Sequence, residues 1–296
     1  MQNNLLKGNL LAILAYLIWG FMPLYWALIG SVSSPEIIAH RIILSLIVLA
    51  LFMLFFGDKS GFKKLKDKKI RWYIVAAALA LGINWTSFIV AVLAGRVLES
   101  SLAYYINPLV VVLFGMIFLK ESTGFYKITA VVLAAVGVLV LIFGYHQFPA
   151  YALIMALSFS VYGLIKKKIG LDPFVGLFSE MVVLAPIAVG AEVFLLVRGT
   201  TVYNGGIPNG WFLLWLLLSG VMTMLPLILY SISLRTISLG NSGFLQFISP
   251  TIMLLIGVFI NGEPFTHIHL IAFLFIWLAV AVYCVYLILS SRKANA

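Results

Sequence analysis

Ten apolar runs of roughly 20 residues fill this chain almost end to end: 10–29, 36–56, 72–94, 99–119, 125–143, 149–165, 174–197, 211–234, 240–260 and 267–289. That is the length an α-helix needs to cross a hydrocarbon core of about 30 Å. Lipid offers no water to satisfy backbone N–H and C=O groups, so runs placed in it must be helical. The connections are short, apart from a basic loop at 57–71 and a Gly/Asn/Pro-rich loop at 199–210. Only 9% of the residues are charged, against about 25% in a soluble domain, too few to build a water-facing surface. The expected fold is all-α and integral to the membrane, with no room for a soluble domain.

The net charge of +10 is explained by topology rather than by a polyanionic partner. With the N-terminus inside and the runs alternating, sixteen of the nineteen Lys and Arg residues fall on the inner side. Only Arg96 and Arg198 fall outside, and Arg41 lies within a run. This is the positive-inside asymmetry, and it places both termini in the cytoplasm. The first run is too long for a signal core and has no small-residue cleavage site, so it reads as retained. The lone Cys284 rules out an intrachain disulfide.

The chain also repeats itself. At a constant offset of 142 residues, Ile106, Pro108, Leu113, Gly115 and Glu121 recur as Ile248, Pro250, Leu255, Gly257 and Glu263. Each copy reads as an apolar helix broken near its start, by Asn-Pro or Ser-Pro, and ended by an acidic residue. Trp19-Gly20 is echoed by Tyr162-Gly163, and Pro35 by Pro173. The expected units are 1–145 and 146–296. Five runs in each is an odd number, so the halves should be inverted, an arrangement that places substrate near the midplane and supplies alternating gates.

Ten segments, a duplicated five-helix unit and a Pro-to-Glu helix closing each half resemble the drug/metabolite transporter superfamily in its EamA-domain branch. Particular strings carry a narrower resemblance, to the RarD-type permeases of the chloramphenicol-sensitivity family. They are Ala-His-Arg-Ile (39–42), Gly-Ile-Asn-Trp (82–85), Leu-Glu-Ser-Ser-Leu-Ala-Tyr-Tyr-Ile-Asn-Pro-Leu (98–109), Tyr-Gly-Leu-Ile-Lys-Lys-Lys-Ile (162–169) and Gly-Phe-Leu-Gln-Phe-Ile-Ser-Pro-Thr (243–251). The resemblance implies a carrier of the cytoplasmic membrane. Its central cavity would be lined mainly by segments 1, 3, 4, 6, 8 and 9, with 5 and 10 peripheral.

Polar residues inside apolar helices mark a pathway or a buried partner. Arg41 lies near the outer end of segment two and Glu180 near the inner end of segment seven, so a direct salt bridge between them is not expected. Glu180 reads as a proton-coupling carboxylate and Arg41 as an anion or gate contact, with His40 beside it. The alternative for all three is hydrogen bonding between helices. Glu192 reads as solvated. Asn84 and Trp85 offer an amide and an indole face at mid-depth, with helix-to-helix packing as the bland reading. Tyr104, Tyr105 and Asn107 precede Pro108, and Gln246, Phe247 and Ser249 precede Pro250; each proline frees a carbonyl about one turn earlier. Trp19 and Tyr162, together with Tyr16 and Trp26, are candidates for an aromatic lining. Pro108 and Pro250 shape helix breaks. Glu121 and Glu263 end helices, oppose the dipole, and so require nearby donors.

No HExxH pair, Asp-rich diphosphate motif or P-loop is present, and the four histidines are scattered. Neither a cofactor, a metal nor an enzymatic activity is expected. A channel, a structural membrane protein and a membrane-embedded enzyme are the rival classes. The reading favoured by the residues is a monomeric or homodimeric carrier of a small organic metabolite or drug-like solute. Protons are the candidate coupling ion, and the partners are the solute and the bilayer, not nucleic acid.

Overall fold

In the computed structural model, residues 2–57, 59–94, 96–121, 124–144, 148–204 and 209–293 are described. Eleven α-helices carry the fold among them: α1 (Gln2–Ala27), α2 (Ser34–Phe55), α3 (Lys68–Leu93), α4 (Val97–Phe118), α5 (Phe125–Gly144), α6 (Ala150–Ile169), α7 (Pro173–Val197), α8 (Gly210–Ser233), α9 (Leu239–Leu245), α10 (Ile248–Phe259) and α11 (His267–Lys293). A 3-10 segment, Lys59–Lys66, crosses the basic loop. Nine spans are long and apolar enough to cross a membrane, counting Leu239–Phe259 as one. The tenth expected segment is α6, whose last turn carries Lys166, Lys167 and Lys168. The boundary expected between residues 145 and 146 lies outside the described residues.

Local chemistry sets the helix ends. Pro173 opens α7 behind Asp172, whose carboxylate accepts the N–H groups of Phe174 and Val175 at 3.0 and 3.2 Å. Asn209 caps α8 through Phe212 N–H, and Ser238 caps α9 through Asn241 N–H. The last carbonyls around the end of α8, Leu234 and Ile237, accept Nζ of Lys167 at 2.6 and 2.7 Å.

The two repeat copies differ in one respect from the expected pattern. α4 runs unbroken through Pro108, whereas the equivalent span interrupts at Gln246 and Phe247, just ahead of Pro250. Gly240 and Gly243 lie before the second break, where the first copy has Leu98 and Ser101. Glycine weakens helix continuity by about 1 kcal/mol per residue, so the proline breaks only the copy already weakened. Gly243 also sets the α4–α9 crossing, since a Cβ there would lie 2.9 Å from the Pro108 carbonyl oxygen.

The principal helix contacts pair α5 with α11, α4 with α6 and α9, α3 with α6 and α7, α2 with α7 and α8, and α1 with α8 and α10. Exchanging α1–α5 for α6–α11 maps this set onto itself: α4·α6 becomes α10·α1, α3·α6 becomes α8·α1, and α2·α8 becomes α7·α3. Large apolar side chains such as Phe55, Phe118, Phe143 and Trp211 lie on the outside, the inverse of a water-soluble surface and the arrangement suited to lipid. At the centre, helices from both units enclose one core containing Tyr16, Trp85, Phe159, Tyr162 and Tyr230.

Candidate functional site

Arg41 projects from α2 into a place where four other helices meet it. Its guanidinium carbon lies 4.2 Å from the Trp85 ring centre on α3 and 5.4 Å from that of Trp26 on α1. Its Nε donates to Thr223 Oγ1 on α8 at 3.1 Å. Tyr104 on α4 and Tyr25 on α1 lie near it. Among the described residues no carboxylate lies within 4.0 Å of it. Two indole faces supply about 0.5–2 kcal/mol each, while a charge at membrane depth costs at least about 2.5 kcal/mol. The surroundings therefore offset the cost of the cation without neutralising it.

Next to this group lies an aromatic cluster built by both units. Trp19 on α1 packs edge-on against Phe159 at 5.7 Å and against Tyr230 at 5.9 Å. Tyr162 stacks on Tyr230 at 6.4 Å. Tyr16 is tied twice to the broken span: its hydroxyl shares a 2.7 Å hydrogen bond with Ser242 of α9, and its carbonyl accepts Ser249 Oγ of α10 at 2.7 Å. The Tyr230 hydroxyl is buried without a hydrogen-bond partner and sits directly over Gly163.

Glu180 belongs to a separate polar knot. Its carboxylate accepts Lys166 Nζ at 2.8 Å and the Tyr162 hydroxyl at 3.2 Å, and it is 1% exposed. No bond joins it to Arg41. His40, one residue before Arg41, turns away toward Tyr203 and the end of α7.

The remaining candidates divide. Trp85 underlies Arg41, but its neighbour Asn84 donates Nδ2 to the Met155 carbonyl at 2.8 Å and joins α3 to α6. Asn107 accepts Ser160 Oγ at 3.3 Å, also between helices. Tyr105 donates to the Pro250 carbonyl at 3.4 Å and packs edge-on against Phe273. Gln246 is 7% exposed, and its Oε1 is buried with no hydrogen-bond partner.

The repeated acidic ends share one local fold. Glu121 N–H donates to the Gly115 carbonyl at 3.2 Å, and Glu263 N–H to that of Gly257 at 2.9 Å. The residue before each acid is left-handed, Lys120 at φ 52° and Gly262 at φ 70°. Each carboxylate folds over its glycine, where a Cβ would lie 2.8 Å from Oε2. Beyond this the copies part. Glu121 accepts the N–H groups of Leu239 and Gly240 at 2.6 and 2.9 Å, capping α9, and pairs with Lys127 at 3.5 Å. Glu263 is exposed, and its carboxylate accepts no hydrogen bond among the described residues.

Thr223, Tyr230 and Tyr25 are site neighbours that motif reading missed, because nothing in their local sequence distinguishes them; Lys166, in a run of three lysines, reads only as an inner-side charge. Glu192, expected in solvent, has both carboxylate oxygens buried beside His40.

Two stretches, residues 6–143 and 149–285, each match the model of the EamA-like transporter family. The chain belongs to this family. "Uncharacterized transporter YojE" of Bacillus subtilis (strain 168) is 40% identical over 94% of this chain and 93% of its own length. "Protein RarD" of Escherichia coli (strain K12) is 36% identical over 98% and 97%. "Chloramphenicol-sensitive protein RarD" of Pseudomonas aeruginosa is 29% identical over 93% and 92%. These full-length similarities make it a multi-pass membrane transporter protein of the RarD type. One solved crystal structure superposes with a TM-score of 0.70 at 18% identity, covering 93% of this chain and 96% of the other. That likeness shows the fold alone.

Proposed function

We propose that this EamA-like protein is a secondary carrier that moves a small organic solute across the cytoplasmic membrane by alternating access. The solute carries an anionic group that meets Arg41 and an apolar or aromatic body that lies against Trp26, Trp85 and Trp19. The observation behind this reading is the guanidinium held between two indoles with no carboxylate within 4.0 Å among the described residues. An anion there would complete a charge pair in low dielectric, where the attraction is strong. A structural membrane protein would have no use for an unneutralised cation at that depth.

The two units, 1–145 and 146–296, are inverted in this reading, with both termini cytoplasmic. The self-mapping contact set supports exchange of the halves as the working motion. So does the asymmetry of the acidic ends: Glu121 is latched onto α9, while its equivalent Glu263 stands exposed. Proton coupling resides at Glu180, whose carboxylate is buried with one cation and one hydroxyl and is placed to exchange a proton as those partners separate.

Thermal stabilisation of purified protein by a panel of aromatic and aliphatic monocarboxylates, each beside its neutral amide, tests the cargo class. The acids should raise the melting temperature of wild type and not of Arg41→Gln. Equal stabilisation by acid and amide would refute Arg41 as the recognising group. In liposomes, Glu180→Gln should abolish flux driven by a pH gradient and leave downhill exchange intact. Gradient-driven flux that survives the substitution removes Glu180 from coupling.

A further inference from the structure

A second cluster of ligating groups lies apart from Arg41, where α2 begins and α7 ends. Glu36 and His40 are four residues apart on α2 and so share a helix face; Glu192 approaches from α7. Their ligand atoms all lie within 4.8 Å of one another. Glu36 is 1% and His40 8% exposed. Glu36 Oε1 accepts Val202 N–H at 2.9 Å, and its Oε2 lies 3.5 Å from Ser33 Oγ. His40 Nδ1 is 2.9 Å from the Glu36 carbonyl oxygen and 3.8 Å from Glu192 Oε2, and Nε2 is 2.6 Å from the Tyr203 hydroxyl. Both Glu192 oxygens are buried and accept no hydrogen bond among the described residues.

A backbone carbonyl only accepts, so Nδ1 carries a hydrogen toward Glu36, while the Tyr203 hydroxyl can donate to Nε2 or accept from it. Two carboxylates thus converge on one imidazole. Glu192 in particular presents two desolvated oxygens that no donor satisfies, a state proteins avoid unless a ligand is meant to fill it.

We propose that Glu36, His40 and Glu192 bind a divalent transition cation of the zinc type, with the Tyr203 hydroxyl beside it. One imidazole nitrogen with carboxylate oxygens suits such ions, whereas magnesium and calcium prefer all-oxygen shells. Ligation through Nε2 leaves Nδ1–H on the Glu36 carbonyl, the type of second bond that fixes a metal-bound imidazole. A tetrahedral ion with bonds of about 2.0–2.2 Å holds its ligands about 3.3–3.6 Å apart, so small side-chain adjustments close the site. Because α2 and α7 come from different repeat units, the ion staples one unit to the other, together with the segment after α7. This site does not depend on the Arg41 reading, and its failure would leave that reading intact.

The test uses full-length protein without a histidine tag, stripped with chelator and titrated with ZnCl2 by calorimetry and thermal melting. Wild type should bind one ion at this site, with a melting temperature raised by Zn2+, reversed by EDTA and unmoved by Mg2+. Glu192→Gln, which removes the unpaired charge, should melt no lower than wild type without metal, yet lose at least tenfold in Zn2+ affinity. His40→Ala should lose the same binding, while a His267→Ala/His269→Ala variant should keep it. Unchanged Zn2+ affinity in Glu192→Gln would overturn the proposal. So would stabilisation by acid alone with no response to Zn2+, which would mark the cluster as a proton site.

Discussion

Glutamine placed at the two repeated acidic ends should give opposite answers, although the sequence motif is the same. Glu121 accepts backbone N–H bonds at 2.6 and 2.9 Å, and it faces Lys127, whose side chain is 3% exposed. Glu121→Gln leaves one acceptor, turns an NH2 toward a backbone donor and removes the charge facing a buried ammonium. Removing one partner of a buried ion pair costs about 3–5 kcal/mol. With an unfolding entropy of about 2.1 cal/mol/K per residue, the 296 residues translate this into a melting temperature lower by about 5–8 °C. Glu263→Gln should leave the melting temperature where it is, because the exposed carboxylate holds no donor among the described residues. Differential scanning fluorimetry of both variants in one detergent measures the contrast. Equal shifts, or none in Glu121→Gln, would refute the claim that only the first copy is latched. The double variant Glu121→Gln/Lys127→Met should lose less than the two single losses added together, since the two groups interact directly.

Three further outcomes follow from the same contacts. Lys166→Met should destabilise by about 3–5 kcal/mol by leaving the Glu180 carboxylate without its cation, and Lys166→Met/Glu180→Gln should recover most of it in a thermal melt. Tyr230→Phe removes a buried hydroxyl that has no partner, so the melting temperature should hold or rise, with a gain of up to about 1 kcal/mol. Asn84→Ala loses one bond between α3 and α6, worth roughly 0.6 kcal/mol for a hydrogen bond between membrane helices; a small melting shift with solute binding unchanged would mark Asn84 as packing.

The fold was legible because lipid leaves few choices. A 20-residue apolar run with no water to bond must be a helix, and ten such runs set the number of crossings to expect. α1 nevertheless begins at Gln2, well ahead of the apolar run at residue 10, because a helix continues into polar residues once it has emerged from hydrocarbon. The break before Pro250 and the continuity through Pro108 were not legible from the prolines alone. They depend on Gly240 and Gly243, which weaken the second copy ahead of its proline and, at Gly243, let α4 cross closely. The site was half legible for a similar reason. Arg41, Trp85, Trp19 and Glu180 stand out as charges or aromatics in apolar runs. What Arg41 and Trp19 meet is set by distant residues, such as Thr223 and Tyr230, which look ordinary in their own segments. Glu36 and His40 share a visible four-residue spacing, but Glu192 completes the cluster from another helix.

The repeat also explains why Arg41 is left without a counter-ion. Arg41 and Glu180 are each the eighth residue of their helices, α2 and α7, one position apart in the register set by Pro35 and Pro173. In the second unit α6 supplies Lys166 to Glu180 at 2.8 Å. The registration that aligns Trp19-Gly20 with Tyr162-Gly163 places Pro23 of α1 where Lys166 stands in α6. One unit thus closes its buried charge internally, while the other offers a side chain with no charge, leaving Arg41 to Trp26, Trp85 and Thr223. Pro23→Glu should supply the missing partner. It restores a helical N–H to α1 and places a carboxylate about one turn before Trp26, whose ring centre lies 5.4 Å from the guanidinium carbon, so the protein should remain folded. Stabilisation by monocarboxylates should then fall at least tenfold in apparent affinity, as in Arg41→Gln, because the new carboxylate occupies the place of the solute's. A Pro23→Gln control, neutral and of similar size, should bind as wild type does. If Pro23→Glu binds the acids as tightly as that control, the cation that reads the solute is not Arg41.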